Sequence, residues 1–114
     1  MNHHSTLAPS AWHQTPLAFQ LANIGSEVER TISWKLKGNS VYSQNAFDRA
    51  LELLDLSMSA RLTFAQQKEL ARVRELLVDW HLGTNEWHST DAQWQKYFYA
   101  FTYAVQIQKR YPSP

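Results

Sequence analysis

Apolar side chains recur every three or four residues along four stretches of this 114-residue chain, and this spacing predicts four amphipathic helices. In the first three stretches they mark one face each, formed by Leu17, Leu21, Ile24, Val28 and Ile32, by Phe47, Leu51, Leu54 and Met58, and by Leu70, Val73, Leu77 and Trp80. Polar residues fill the other faces, as expected of helices that cover a shared core.

The ends of the first two predicted helices carry capping and terminating residues. Thr15 and Pro16 predict the start of the first helix, because threonine caps a helix and proline suits its first position. Gly38 predicts its end, since glycine readily supplies the left-handed residue after a helix. Asn39 or Ser40 then caps the second helix, which is expected to fray over residues 57–59.

Two capping boxes predict where the third and fourth helices begin. Thr63 stands three residues before Gln66, and Thr90 stands three residues before Gln93. In such a box each side chain bonds a free backbone N–H of the first turn. The third helix is predicted to end before the glycine at position 83, and the fourth to run to about Arg110.

The four predicted helices have similar lengths and short connections, which favour an antiparallel up-down-up-down four-helix bundle. The fold class is therefore all-α, with one domain over residues 15–111. Residues 1–14 are predicted to be a flexible N-terminal arm. The end of the arm next to the bundle is expected to dock on it, because exposing the indole of Trp12 to water costs free energy.

Composition restricts the classes of function. Apolar residues make up 44% of the chain and charged residues 18%, which is typical of a globular protein. The absence of cysteine excludes disulfides and thiolate metal sites. A formal net charge of +1 favours neither nucleic acid nor an anionic membrane as partner. No apolar run has membrane-spanning length, and we expect a cytoplasmic protein without a cofactor.

The fourth predicted helix differs from the others because it is apolar on two opposite sides. One side contains Trp94, Tyr97, Phe98, Phe101, Ala104 and Val105, and the other contains Tyr99, Ala100, Tyr103 and Ile107. A helix that is apolar all round is buried all round. A chain of this length cannot easily enclose its own helix, so we expect a second copy to cover the outer side.

The same reasoning predicts a homo-oligomer interface formed by the fourth helix and the outer side of the first. The residues assigned to it are Phe19, Ala22, Tyr99, Tyr103 and Ile107. A two-fold dimer is the commonest way to close such a contact. A stacking platform for single-stranded nucleic acid, with Lys96 and Arg110 as the cations, is the alternative and is less favoured because the helix carries few cations.

Acidic and histidine side chains offer candidate metal ligands but no distinctive metal site. Asp48, Glu52 and Asp55 share one face of the second predicted helix, where a solvated acidic surface is the simpler interpretation. A zinc site using His81, His88 and a carboxylate can be imagined, although the spacing is not distinctive. We therefore expect no metal.

Arg74 and His81 are the one pair with a plausible chemical role. They stand seven residues apart, or two helical turns, on the third predicted helix, in the run Arg74-Glu-Leu-Leu-Val-Asp-Trp-His81. An arginine can hold a phosphate through two hydrogen bonds, and a histidine can move protons near neutral pH.

This run resembles the motif of the HEPN superfamily, a group of small helical bundles. In that motif four to six residues separate an arginine from the histidine that follows it. The resemblance implies metal-independent ribonuclease or nucleotide-binding activity in a dimer, with Arg74 and His81 as the catalytic residues. Glu75 departs from the polar residue that often follows the family's arginine, and an acid there suits an anionic substrate poorly.

The run from Leu21 to Tyr111 also resembles a small uncharacterised all-helical bacterial or archaeal family, which implies a fold and no activity. From the residues themselves, the leading expectation is a non-catalytic helical interaction protein that forms a homodimer or higher oligomer through its fourth helix. The HEPN-like enzyme is the alternative.

Overall fold

The computed structural model describes residues 9–111, and describes side chains from Trp12 onward. Over this range the chain is all-α, with five helices and no strand. The helices are α1 (Pro9–Gln14), α2 (Leu17–Leu36), α3 (Ser40–Met58), α4 (Phe64–His81) and α5 (Asp91–Arg110). The four helices predicted from the hydrophobic pattern correspond to α2 to α5. None of these described helices combines the length and the apolar character needed to cross a membrane.

The short helix α1 lies within the segment predicted as an N-terminal arm. Trp12 is buried, and its indole N–H donates to Ser57 Oγ of α3 at 2.9 Å. Ser57 Oγ donates in turn to Gln20 Oε1 of α2 at 2.6 Å, and Gln20 Nε2 donates to the Trp12 carbonyl at 2.9 Å. This ring of three bonds docks α1 against α2 and α3. His3 and His4 lie outside the described residues.

Both predicted capping boxes are confirmed. Thr63 Oγ1 accepts from the backbone N–H of Gln66, and the Gln66 side chain accepts from the backbone N–H of Thr63. Thr90 and Gln93 repeat the arrangement at the start of α5. These bonds satisfy donors that the first turn of a helix leaves unpaired.

The connection between α2 and α3 also follows the prediction. Gly38 adopts a φ of 78°, and the Asn39 side chain accepts from the backbone N–H of Tyr42 at 2.9 Å. The start of α2 differs slightly, because Pro16 is the N-cap residue and no side chain caps this helix. Thr15 therefore does not act as the cap that the sequence suggested.

The core is formed by the predicted stripes of α2, α3 and α4, joined by two aromatic residues of α5. Its buried members include Trp12 of α1 and, on the longer helices, Leu21, Ile24, Val28, Ile32, Phe47, Leu53, Leu54, Leu70, Val73, Leu77, Trp80, Trp94 and Phe98. Burial of these side chains away from water is the main favourable contribution to folding.

A buried carboxylate also joins α2 to α3. Glu27 is almost completely buried, and its Oε2 accepts from Arg49 Nε of α3 at 3.1 Å. Arg30, on the next turn of α2, bonds the other carboxylate oxygen. A buried charge is tolerated when it is paired and hydrogen-bonded in this way.

The contact between α2 and α5 depends on Gly25. A Cβ atom at position 25 would lie 2.6 Å from Cβ of Phe98, closer than any normal carbon contact. Glycine therefore lets the Phe98 side chain rest directly on the backbone of α2. A larger residue would push α5 away from the core.

The predicted core face of α5 is only partly buried. Trp94 and Phe98 are buried, Tyr97 and Phe101 are half-buried, and Ala104 is exposed. Val105 is also only half-buried. The second half of α5 therefore keeps apolar surface on more than one side, because no buried residue of the helix follows Phe98 within the described range.

The substitution Phe47→Ala tests the assignment of the core. Phe47 is fully buried between α2 and α4, so its loss should lower the free energy of unfolding by about 3–5 kcal/mol. Phe64→Ala is the matched control, because Phe64 is 83% exposed and its loss should change stability by less than about 0.5 kcal/mol. Denaturant unfolding followed by circular dichroism measures both, and equal effects would contradict the assignment.

Candidate functional site

The outer face of α5 carries a row of exposed apolar side chains, which we call the α5 stripe. It consists of Tyr99, Tyr103 and Ile107, whose spacing of four residues places them on adjacent turns of one face. Their side chains are 61%, 53% and 37% exposed. The rings of the two tyrosines lie 6.3 Å apart between centroids. The described part of the chain therefore leaves this predicted interface row uncovered.

A shallow groove runs beside the α5 stripe, between α2 and α5, and we call it the α2/α5 groove. Its volume is about 230 Å³, and its walls include Gly25, Ser26, Glu29, Gln95, Phe98, Tyr99 and Thr102. The small side chains of α2 keep it open. Phe19 and Ala22, the α2 residues assigned to the interface from sequence, are both half-buried on the same helix.

The wall of the α2/α5 groove contains an unsatisfied polar group. Trp94 lines the groove, and its buried indole N–H has no hydrogen-bond partner among the described residues. The indole ring stacks near Phe98, with 6.0 Å between the ring centroids. Buried donors without a partner are uncommon in native proteins, so this wall retains an unused donor.

Charged side chains lie at both ends of this surface. At the end near the start of α5, exposed Glu29 accepts a hydrogen bond from Gln95 Nε2 at 3.2 Å. At the other end, Lys109 and Arg110 lie beside Tyr103 and share a surface concavity with it. The first end also carries the exposed Lys96, so it has charges of both signs, whereas the other end carries two cations.

Arg74, the first member of the predicted catalytic pair, forms an ion pair with Asp55 of α3. Its Nε donates to Asp55 Oδ1 at 2.8 Å, and its Nη2 donates to Oδ2 at 3.4 Å. The hydrogen bond that the guanidinium donates to Asp55 raises the pKa of Arg74, against a smaller lowering by burial. Asp79, on the same helix as Arg74, is not its partner and accepts from the backbone N–H of Glu86 at 2.9 Å.

His81, the second member, packs against aromatic residues of the core. Its ring lies 4.3 Å from the ring of Phe47 and 5.8 Å from that of Trp80, between centroids. Its Nε2 lies 3.2 Å from Gln44 Oε1. Burial lowers the pKa of His81, the positive charge of Lys35 lowers it further, and Asp48 acts in the opposite direction.

The two members of the pair have separate partners on α3 and lie two helical turns apart, or roughly 10 Å along the α4 axis. His81 also lines a cleft of about 400 Å³, together with Lys35, Gly38, Ser40, Ser43, Gln44 and Trp80. Arg74 is not among the residues of that cleft. The fold thus places the histidine in a cavity and the arginine in an ion pair outside it.

The acidic residues of α3 are likewise engaged in individual contacts. Asp48 accepts from Gln44 Nε2 at 2.8 Å, while Asp55 holds Arg74. Within residues 9–111, no group of three histidine, aspartate or glutamate side chains is placed to hold a metal ion. Among these residues, the three carboxylates predicted to share a helix face do not converge on a common point.

The loop between α4 and α5 shows a feature that sequence reasoning did not interpret. Asn85 and His88 adopt φ values of 55° and 54°, and the Asn85 side chain both donates to the Ser89 carbonyl and accepts from the Ser89 N–H. These bonds order the loop and leave Trp87 exposed at its surface. Asparagine and histidine adopt the left-handed region more readily than most residues. Their presence at positions 85 and 88 is the sequence signal that could have indicated this loop conformation.

Comparisons with protein-family models, with curated proteins and with solved structures find no match for this chain. They show no family, and they do not support the resemblance to the HEPN superfamily. Any function must therefore be argued from the surface and the contacts of the chain itself.

The pKa of His81 predicts how stability depends on pH. Folding lowers this pKa from its usual value of 6.5, so the unfolded chain binds the proton more readily. The contribution of neutral His81 to stability is complete above about pH 6.5 and is lost as the pH falls from that value through the lower pKa of the folded chain. Wild-type protein should therefore lose more unfolding free energy between about pH 7.5 and pH 5.5 than His81→Gln.

Denaturant titration of both proteins at the two pH values measures this difference. Each protein is compared with itself, so the packing cost of the substitution cancels. Equal losses in the two proteins would mean that the His81 ring titrates in the folded chain as it does in the unfolded one.

Proposed function

We propose that this chain is a non-catalytic helical interaction protein that self-associates through the α5 stripe and the adjacent side of α2. The observation that carries the proposal is the exposure of Tyr99 and Tyr103 on one helix face of the single chain. Tyrosine is enriched at the core of protein interfaces, because its ring excludes water while its hydroxyl can still be hydrogen-bonded. Phe19 and Ala22 are assigned to the periphery of the same surface.

The size of the exposed apolar area supports this assignment. If a fully exposed aromatic side chain presents about 200 Å², the α5 stripe exposes roughly 300 Å² in total. A standard interface buries about 800 Å² per partner, of which a little over half is apolar. The stripe therefore supplies more than half of the apolar surface that one partner contributes.

The proposal includes an antiparallel four-helix arrangement of α2 to α5. Gln20, early in α2, bonds Ser57, late in α3. Lys35, late in α2, bonds Asp91 at the start of α5 at 3.2 Å. The indole of Trp80, late in α4, donates to the same aspartate at 3.0 Å. Contacts between opposite ends of neighbouring helices support this arrangement, in which one side of α5 faces α2 and another faces outward.

The substitution Tyr103→Glu tests self-association. Placing a carboxylate in the middle of the stripe should convert the wild-type assembly to a monomer of 13.3 kDa, since an unpaired charge is costly to bury. Sedimentation equilibrium or light scattering at matched concentrations measures the change in mass.

Tyr42→Glu is the matched control, because Tyr42 is 51% exposed, nearly the same as Tyr103, but lies on α3. It should leave the assembly intact. A wild-type protein that is monomeric at all accessible concentrations would refute the proposal. So would a Tyr103→Glu variant that keeps the wild-type mass.

The alternative function is a metal-independent ribonuclease or nucleotide binder that uses Arg74 and His81. The observation in its favour is the cleft lined by His81, Lys35 and Ser40. Against it, the Arg74 guanidinium is held by Asp55, and a phosphate would have to displace that carboxylate. This alternative stays a prediction that a direct assay can test.

Incubation with single-stranded RNA in the presence of a chelator gives that assay. We expect no cleavage that depends on either residue, so wild-type protein, Arg74→Gln and His81→Gln should give the same background. Cleavage by the wild type that both substitutions abolish would favour the enzyme over the interaction protein.

A further inference from the structure

The cleft beside His81, whose wall also includes Lys35, Gln44 and Trp80, is a candidate binding site apart from the α5 stripe, and we call it the His81 cleft. Its volume of about 400 Å³ lies within the range of small-molecule pockets in proteins. Its wall combines polar groups with the indole of Trp80. None of the stripe residues lines it, so a ligand bound there does not depend on self-association through α5.

The hydrogen bonds of Gln44 determine which ring nitrogen of His81 carries the proton. Gln44 Nε2 is the atom that donates to Asp48 Oδ1, at 2.8 Å, because a carboxylate only accepts. Gln44 Oε1 therefore faces His81, at 3.2 Å from Nε2. An amide oxygen also only accepts, so Nε2 of His81 must be protonated and must donate. In the neutral ring the other nitrogen, Nδ1, then has no proton.

The Nδ1 atom of His81 is left as an available acceptor. It has no hydrogen-bond partner among the side chains and backbone that the structure describes, and it is not buried. Burial and the nearby charge of Lys35 lower the pKa of His81, which keeps the ring neutral and this lone pair free at neutral pH. Because His81 lines the cleft, a ligand there with an N–H or O–H group can donate to Nδ1.

The charged groups around the His81 cleft do not favour an anionic ligand. Lys35 Nζ bonds Asp91 Oδ1 at 3.2 Å and lies 4.6 Å from the centre of the Trp80 ring. Asp91 and Asp48 thus place two carboxylates close to one ammonium group, and Lys37 does not line the cleft. An ammonium group has three N–H donors, so Lys35 can still donate to an uncharged acceptor such as a carbonyl oxygen.

We propose that the His81 cleft binds an uncharged ligand with a carboxamide group, whose N–H donates to His81 Nδ1 and whose carbonyl oxygen accepts from Lys35 Nζ. A carboxamide carries its donor and its acceptor on neighbouring atoms. The His81 ring and Lys35 Nζ are both neighbours of Trp80, so the wall presents its acceptor and its donor close together. Asp48 is a positioning residue, which fixes the tautomer of His81 through Gln44.

Benzamide is the ligand used to test this site, with N,N-dimethylbenzamide and benzoate as matched compounds. NMR titration of the His81 ring signals at slightly alkaline pH measures binding. Benzamide should bind with a dissociation constant of about 1–10 mM, as expected of a small fragment. The dimethyl compound has no N–H donor, and benzoate has neither the donor nor a neutral charge. Each should therefore bind at least about tenfold more weakly than benzamide.

Equal binding of benzamide and its dimethyl derivative would overturn the proposal, because the donor would then contribute nothing. Tighter binding of benzoate would overturn the assignment of an uncharged ligand. No change in the His81 signals with benzamide up to about 50 mM would overturn the site itself.

Lys35→Met and Lys37→Met form a matched pair of variants. The first removes the ammonium group from the cleft and should weaken benzamide binding by about five- to tenfold. The second removes a neighbouring exposed lysine that does not line the cleft, and it should bind benzamide like the wild type. Equal affinities of the two variants would contradict the assignment of Lys35 as the donor.

The tautomer of His81 provides a test that needs no ligand. Long-range proton–nitrogen NMR of the wild-type protein should show Nε2 protonated and Nδ1 unprotonated, and the reverse tautomer would overturn the proposal. In Asp48→Asn the new side chain can donate as well as accept, so the Gln44 amide is free to turn. Both tautomers should then be populated, and benzamide should bind several-fold more weakly.

Glu75→Gln is the control for Asp48→Asn, because it removes an exposed carboxylate from α4 without touching Gln44. It should leave both the tautomer and the affinity for benzamide unchanged. A single, unchanged tautomer in Asp48→Asn would contradict the positioning role of Asp48.

Discussion

The close approach of α2 and α5 at Gly25 is the contact that the proposed surface depends on. Phe98 rests on the backbone of α2 because position 25 has no Cβ, and this contact fixes the side of α5 that enters the core. The opposite side is then determined by the helical period, and it carries Tyr99 and Tyr103. The burial of Phe98 and the exposure of the two tyrosines on the neighbouring turns are thus two consequences of one packing contact.

The polar groups that first suggested chemistry are used largely to join helices. Arg74 pairs with Asp55, Glu27 bridges Arg30 and Arg49, and His81 packs on the ring of Phe47. A guanidinium already bonded by a carboxylate gains little by exchanging that partner for another anion, because the released carboxylate must be compensated. The contacts of α3 therefore account for Arg74 without a substrate, whereas no residue between 9 and 111 covers the exposed tyrosines of α5.

The sequence predicted the long helices well because their signals are local. Capping at Thr63 and Thr90, the turn at Gly38 and the core stripes of α2 to α4 depend only on neighbours a few residues away. It did not predict α1, because a six-residue helix is too short to show a period, and its docking depends on Ser57, far along the chain. The extent of burial along α5 was overestimated for a similar reason. The period of apolar residues predicts that Phe101 and Ala104 lie on the face of α5 that enters the core. It does not predict whether another helix extends far enough to cover them.

Exposed apolar residues elsewhere on the molecule do not compete equally with the α5 stripe. Leu36, Val41 and Trp87 are each well exposed, but they belong to α2, α3 and a loop. Single exposed apolar residues are normal on protein surfaces, while contiguous ones on a rigid element are more often functional. The stripe lies on successive turns of one helix, so its side chains are held in register before any partner arrives. That pre-organisation reduces the entropy lost on binding, which is the physical reason for proposing α5 as the interface helix.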